Sequence, residues 1–346
     1  EASASSMFVY ALAKGVRFGW LPQSFLTTAQ KGYDGIIKQF IKVENGQVNL
    51  HGTVSVSGLG GEPYRDGSFA YYMSEKVVVN DPKGVGAFLL ASNEIELIPT
   101  LNKGKGKTVA LDYYFNHETK KDITGKTIQH HYTWDQMDNG GFSLLGNIFN
   151  RYGVKTKSLA AAPNTQNLKG SDIYIIVDPD TEKESTPPNF IQAQHVSAIY
   201  DWVKEGGVLL LFANDSANAE LNNFNKLVEK FGIHFNVNNP RNMVKGNEYP
   251  TGTLTIGSNN TIFKTARKVY LKEISTLKIT SPATAVLSDK GDVIIAVSKV
   301  GKGTVFAVGD PWIYNEYLDG RKLPAELENF KAAEDIVQWA INQSKK

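Results

Sequence analysis

The sequence predicts an α/β protein whose larger part is a doubly wound unit, and three observations predict it. Six apolar residues without alternation, Val208 to Ala213, lie between a Gly-Gly pair and the cluster Asn214, Asp215, Ser216. That is how a strand buried on both faces of a parallel sheet reads. Before it, Val196, Ile199, Tyr200 and Val203 recur at helical spacing up to the stop at Gly206 and Gly207; after it, Asp215 or Ser216 is placed to cap a helix running to about Phe231. The same kind of apolar run returns in TVALDYYF (Thr108 to Phe115), DIYIIV (Asp172 to Val177) and GTVFAVG (Gly303 to Gly309). Helix, buried strand and helix in that order make a doubly wound unit, whose ligands lie beyond the carboxyl ends of the strands.

The elements follow in order. Glu1 to Phe18 reads as a helix with small residues at its start, ended by Gly19 and Pro22. Thr28 to Phe40 is a second, amphipathic helix with Ile36, Ile37 and Phe40 on one side. Val43 to Val56 predicts a hairpin turning at Asn45 and Gly46, and Gly58 to Glu75 a tight loop rich in glycine, tyrosine and hydrogen-bonding groups. Asp81 to Glu96 leads into a last helix of this region. Residues 97–107, with PTLNKGKGK at their centre, form a polar, cationic linker. Past it, Lys120 to Thr133 reads as a long loop or flap carrying His130 and His131, and Asn139 to Tyr152 as a helix. Beyond Asn236, four segments (Thr253 to Ile256, Val269 to Ile279, Thr284 to Leu287, Val293 to Val297) predict short strands of a β-rich extension, and Pro324 to Gln343 a closing helix.

Composition narrows the function. The 346 residues carry 37 Lys and Arg against 35 Asp and Glu, so no basic field exists to hold a nucleic acid backbone. There is no cysteine, which excludes disulfides, thiolate zinc sites and a cysteine nucleophile. No apolar run has the length of a membrane span. The chain opens on Glu1 inside a helical pattern, so a preceding segment is expected. No metal-ligand spacing is present, and no cofactor is expected.

The runs ASASSMFVYALAKG, GYDGIIKQFI, GLGGEPYRDGSFAYYMSE and NDPKGVGAFLLASNEIE, over residues 1–96, closely resemble the carboxyl-terminal part of family 105 glycoside hydrolases, the unsaturated rhamnogalacturonyl hydrolases. The resemblance implies the last helices of an (α/α)6 barrel and action on unsaturated galacturonyl-rhamnose oligosaccharides from pectin. In such enzymes an aspartic acid protonates the C4=C5 enol ether while water adds at C5, and the hemiketal opens. The catalytic aspartate and most sugar subsites of the family lie in earlier barrel helices, so the catalytic residue is expected upstream and none is assigned in this sequence. What the resemblance carries over is the loop Tyr64, Arg65, Asp66, Ser68, Tyr71 and Tyr72, near the mouth of the barrel, as substrate-binding candidates; their alternative role is to hold the loop together. Family habit implies a periplasmic or extracellular protein, and the apolar helix faces at Val9, Leu12, Ile37 and Phe40 call for the remainder of the barrel or a second copy as partner.

Residues from about 105 to 343, which span nearly all of the expected domain 108–346, resemble the glutamine-amidotransferase-like, flavodoxin-like domains attached to such hydrolases, notably in GGVLLLFANDSANAE, FGIHFN and VFAVGDPWIYNEYLDGRKLPAE. An amidotransferase needs a cysteine after its central strand, and this chain has none; Ser216 lacks the glycine-flanked elbow of a serine hydrolase. The strand ends nevertheless gather His117, Asp178, Asp180, Asn214, Asp215 and Asp310, followed by Trp312, Tyr314, Asn315 and Glu316, with His130 and His131 placed to fold over them. Carboxylates, amides and an aromatic platform together suit a carbohydrate. The reading to weigh against the hydrolase is therefore a noncatalytic module that binds sugar or stabilises the barrel.

Overall fold

A computed structural model describes residues 1–238 and 249–344. The chain forms two compact units, Glu1–Thr100 and Leu101–Lys346.

The first unit is built on three long helices, α1 (Ala2–Arg17), α2 (Phe25–Phe40) and α3 (Pro82–Leu97). Glu1 caps α1: one carboxylate oxygen accepts from the Ala4 amide and the Ser3 hydroxyl, both at 2.7 Å, while the other accepts from the Val54 amide at 3.1 Å. Asp81 caps α3, where Pro82 occupies a position that needs no amide donor. Val9, Ala13, Ala29, Ile36, Ala91 and Ile95 form a core in which the alanines keep the helices close. The Arg17 guanidinium binds both oxygens of buried Glu94 at 2.7 and 2.6 Å, joining α1 to α3. The hairpin pairs Ile41–Glu44 with Gln47–Leu50, and both turn residues take positive φ (Asn45 53°, Gly46 77°), the turn whose twist suits a two-residue hairpin loop. The 58–75 loop holds a short helix, Phe69–Ser74, that its sequence did not announce.

The second unit centres on a nine-stranded sheet. Its strands are β1 (Thr108–Asp112), β2 (Lys155–Leu159), β3 (Ile173–Val177), β4 (Val208–Phe212), β5 (Ile233–Phe235), β6 (Leu277–Ile279), β7 (Thr284–Asp289), β8 (Asp292–Val300) and β9 (Gly303–Val308). They run β5-β6-β8-β9-β4-β3-β1-β2 across the sheet, with β7 paired to β8. The pairs β9–β4, β4–β3, β3–β1 and β1–β2 are parallel. Numbered among themselves, these parallel strands lie in the order 2-1-3-4-5, a doubly wound order with its switch point between the first and third.

Successive side chains of the parallel strands enter two separate cores. Val109, Ile175, Leu210 and Phe306 pack on one face with Ile148 and Phe149 of α4 (Ser143–Arg151) and Ile336 and Val337 of the last helix (Asn329–Gln343). Ala110, Tyr174, Leu209 and Leu211 pack on the other with Val203 of α5 (Ala193–Lys204) and Phe224 of α6 (Leu221–Val228). Two covered faces are why the strands read as unbroken apolar runs. The last helix is labelled α7.

One strand is added and three expectations are corrected. The strand β2 carries no apolar run: KTKSL lies at the sheet edge and is polar. The β-rich extension is continuous with the main sheet, since β5 to β8 prolong it through antiparallel pairs; Thr253–Thr255 and Lys268–Tyr270 form a separate hairpin. The 120–133 segment contains a hairpin, Thr119–Lys121 with Thr127–Gln129, whose turn is tied by Asp122 to the amides of Thr124 and Lys126. Finally, α6 starts at Leu221 and is capped by Glu220, while Asp215 instead accepts from the Ala217 amide and the Asn218 side chain in a turn.

Candidate functional site

Register decides what meets at the carboxyl edge of the sheet. Phe212 is level with both Val177 and Val308, so the residues that follow them, Asp178, Asn214 and Asp310, emerge together. The 130–140 segment folds over this edge and encloses a pocket of about 710 Å³. Asp178 and Asn214 line its sheet side, His130, His131, Tyr132 and Asp138 its flap side, and Glu184, Lys272, Glu273, Tyr314, Glu316 and Arg321 its remaining walls.

The backbone is strained where the pocket is. Among the described residues, seven other than glycine have positive φ: Asn45, Asn80 and Lys290 lie in turns and bends, and the other four line the pocket. These are His131 (66°), Tyr132 (52°), Asp178 (30°) and Glu273 (52°). Such conformations cost about 1–3 kcal/mol each and collect at functional sites.

Asp178 is nearly enclosed. One oxygen accepts from the Tyr132 hydroxyl at 2.8 Å and the other from the Asn214 amide at 3.0 Å. Both bonds favour the anion, yet burial outweighs them and pushes its carboxyl up to about 7. Burial and the Asp178 charge raise the Tyr132 hydroxyl well above its ordinary value, so it stays a donor. The His131 Nδ1 lies 2.9 Å from Glu118; burial lowers the imidazole, but the hydrogen bond and charge of Glu118, with the charges of Asp178 and Glu184, together raise it above its ordinary value. His130 moves the other way, lowered by burial and by the positive charge of Lys120. Burial also raises Glu184 and Glu273. Among the described residues no group of three or more His, Asp or Glu side chains could hold a metal ion.

Of the ten residues expected at this edge, Asp178, Asn214, Tyr314 and Glu316 line the pocket. His117 stands beside it with Nδ1 3.1 Å from buried Asp180. Asp310 lies behind it, fully buried, accepting from the Lys272 amide at 2.7 Å. Asp215 holds the turn described above. Trp312, expected as an aromatic platform, is fully buried in the core against Phe263, because the chain turns inward after Asp310. Asn315 is a brace: its side-chain nitrogen donates to the carbonyls of Gln136 and Asp138 and its oxygen accepts from the Leu144 amide, which pins the flap. Lys272 and Glu273 escaped sequence reading because 269–279 reads as one strand; Glu273 breaks it with its positive φ.

The loop candidates of the first unit serve their own backbone. Arg65 donates to the Gly60 carbonyl at 2.9 Å, and Asp66 accepts from the Ser68 amide at 2.8 Å, which lowers its carboxyl below the usual range. Ser68 caps the short helix through the Tyr71 amide, and the Tyr71 hydroxyl accepts from the Gly58 amide at 3.5 Å. Tyr64 is 78% exposed and Tyr72 is 38% exposed, free to meet a ligand or another protein.

Comparison with known proteins finds matches to part of the chain. The sequence model of Glycosyl Hydrolase Family 88 matches residues 1–98. Protein Atu3128 of Agrobacterium fabrum is 38% identical over 105 residues, 28% of this chain and 45% of its own length. A glycoside hydrolase from family 105 of C. acetobutylicum is 58% identical over 28% of this chain and 27% of its own, with a TM-score of 0.27. The mmIFT52 N-terminal domain is 21% identical over 68% of this chain and 97% of its own, with a TM-score of 0.49. The chain thus spans less than half the length of the curated relative and about a quarter of the hydrolase. Residues 1–98 are similar to part of a glycosyl hydrolase.

Proposed function

We propose that residues 1–96 are the closing part of an (α/α)6 barrel in a glycoside hydrolase that hydrates the C4=C5 double bond of unsaturated galacturonyl-rhamnose oligosaccharides from pectin, in the periplasm or outside the cell. The observation that carries this reading is the family match over residues 1–98. The proton donor would be an aspartic acid of barrel helices outside this sequence, and the exposed tyrosines of the 58–75 loop would border the substrate. We assign residues 108–346 to a flavodoxin-like, glutamine-amidotransferase-like accessory unit without amidotransferase chemistry. Its 2-1-3-4-5 parallel order supports this assignment, and the missing cysteine removes the nucleophile. The strained, polar pocket favours a second reading beside the first, in which this unit binds sugar without transforming it.

The test follows loss of the ultraviolet absorbance of the alkene in an unsaturated galacturonyl-rhamnose disaccharide. The 346 residues alone should leave the substrate intact, and a polypeptide that also carries the remaining family helices should consume it. Turnover by the 346 residues alone would overturn the assignment and direct the search for the acid to Asp66, which is exposed, and Asp178, which lines the pocket.

A further inference from the structure

We infer that the pocket at the carboxyl edge of the sheet accepts uncharged glycosyl units and rejects uronates. This rests on the reading of the pocket as a sugar site and specifies the ligand class it takes. Six carboxyl groups line the pocket, from Glu118, Asp138, Asp178, Glu184, Glu273 and Glu316, against the cations Lys272 and Arg321, while Lys120 and Lys322 pair with Asp138 and Glu316 at 2.9 and 2.6 Å. Both cations already face carboxylates: Arg321 binds Asp319 at 2.6 Å, and the Lys272 ammonium lies 3.9 Å from Glu273. The imidazole of His131 is likewise turned to Glu118. A ligand carboxylate would therefore enter without a partner cation and with like charges around it.

The second, independent observation is an amide. Asn214 is 5% exposed and lines the pocket, and its side-chain oxygen has no hydrogen-bond partner. A buried acceptor of this kind calls for a donor. Glu184, which also lines the pocket, accepts from the amide and hydroxyl of Thr181 at 2.8 Å, both neutral. Sugar hydroxyls donate; an ionised carboxylate only accepts. The unmet acceptor calls for a hydroxyl donor, which any sugar supplies, and the pairing of every nearby cation selects the uncharged sugars among them. The accessory unit would hold neutral sugar residues of a glycan and leave its acidic residues to the other unit.

Methyl β-galactoside and methyl galacturonide differ only at C6, hydroxymethyl against carboxylate, and form a matched pair for the test. Saturation-transfer NMR and titration calorimetry on the full chain at neutral pH, with methyl rhamnoside as a second neutral probe, should show binding of the neutral glycosides. The galacturonide should bind at least about tenfold more weakly. Asn214→Ala should abolish the neutral signal with the circular dichroism spectrum unchanged, and Glu184→Gln should narrow the difference between the pair. Galacturonide binding as tight as galactoside binding overturns the charge selection while leaving the sugar site standing. If none of the three glycosides binds, the sugar-site reading itself falls, and this inference with it.

Discussion

Asp178 shows how a single residue couples the site to the stability of its unit. Its carboxyl is pushed up to about 7, with Tyr132 and Asn214 bonded to it and Asp310, Glu184 and His131 near enough to act on its charge. An unfolded aspartic acid ionises near 3.9. Between about pH 4 and pH 7 the folded chain therefore holds a proton that the unfolded chain has released, so stability is lost as pH rises through that window and levels off above it. Asp112, also raised to about 7 by burial, acts in the same direction. Asp178→Asn, which keeps the size and removes the titration, should flatten the decline between pH 5 and pH 8 by roughly 2–4 kcal/mol in urea unfolding. An unchanged slope in the variant would show that Asp178 is already ionised in the folded protein. Asp178 and Asn214 were legible in sequence because buried runs fix where parallel strands end. Trp312 and Asn315 were not, because a residue beyond a strand end can turn toward the pocket or back into the core, and only the packing decides.

At the scale of elements, legibility followed burial. The strands β1, β3, β4 and β9 announced themselves because both sheet faces are covered, while β2, with one neighbour and a polar sequence, did not. The pocket walls at Lys272, Glu273 and Arg321 were hidden for a related reason: they stand in loops whose positions are set by β6 and β9, not by any periodicity of their own. One residue at the end of β9 makes that dependence measurable. A Cβ on Gly309 would lie 1.8 Å from the Ser275 carbonyl oxygen, which belongs to the backbone just before β6. Gly309→Ala must therefore push the two segments apart beside Asp310 and the pocket, and should destabilise by about 2–4 kcal/mol. Gly257→Ala, with no atom within 4 Å of the added Cβ, is the control and should stay within about 0.5 kcal/mol of the parent. Equal denaturation midpoints for the two variants would sink the argument that close backbone approach holds this edge.

Across the whole molecule, exposed apolar surface is concentrated in one unit. Of twenty large hydrophobic side chains that stand exposed among the described residues, all but Ile123 and Met137 belong to residues 1–100. They include Phe8 and Leu89 on two of its helices, and Phe8 borders an apolar groove of about 410 Å³ with Val9, Leu12, Ile36 and Phe40. Burying one such side chain is worth about 1.5–3 kcal/mol, so a few of them outweigh the cost of bringing another protein surface against the unit. The proposed occupant is the remainder of the hydrolase barrel, or a second copy of the chain where that remainder is missing. Sedimentation of the 346-residue chain should accordingly show self-association that grows with concentration, and Phe8→Glu with Leu89→Glu should weaken it about tenfold or more. Both residues are exposed, so their replacement leaves the core of Val9, Ala13 and Ile36 in place and the circular dichroism spectrum unchanged. On the proposed barrel reading, addition of further barrel helices as a separate chain should compete with self-association for the same face. A chain that remains monomeric at high micromolar concentration and ignores the added helices would show that this apolar surface is tolerated in water and that no barrel partner covers it.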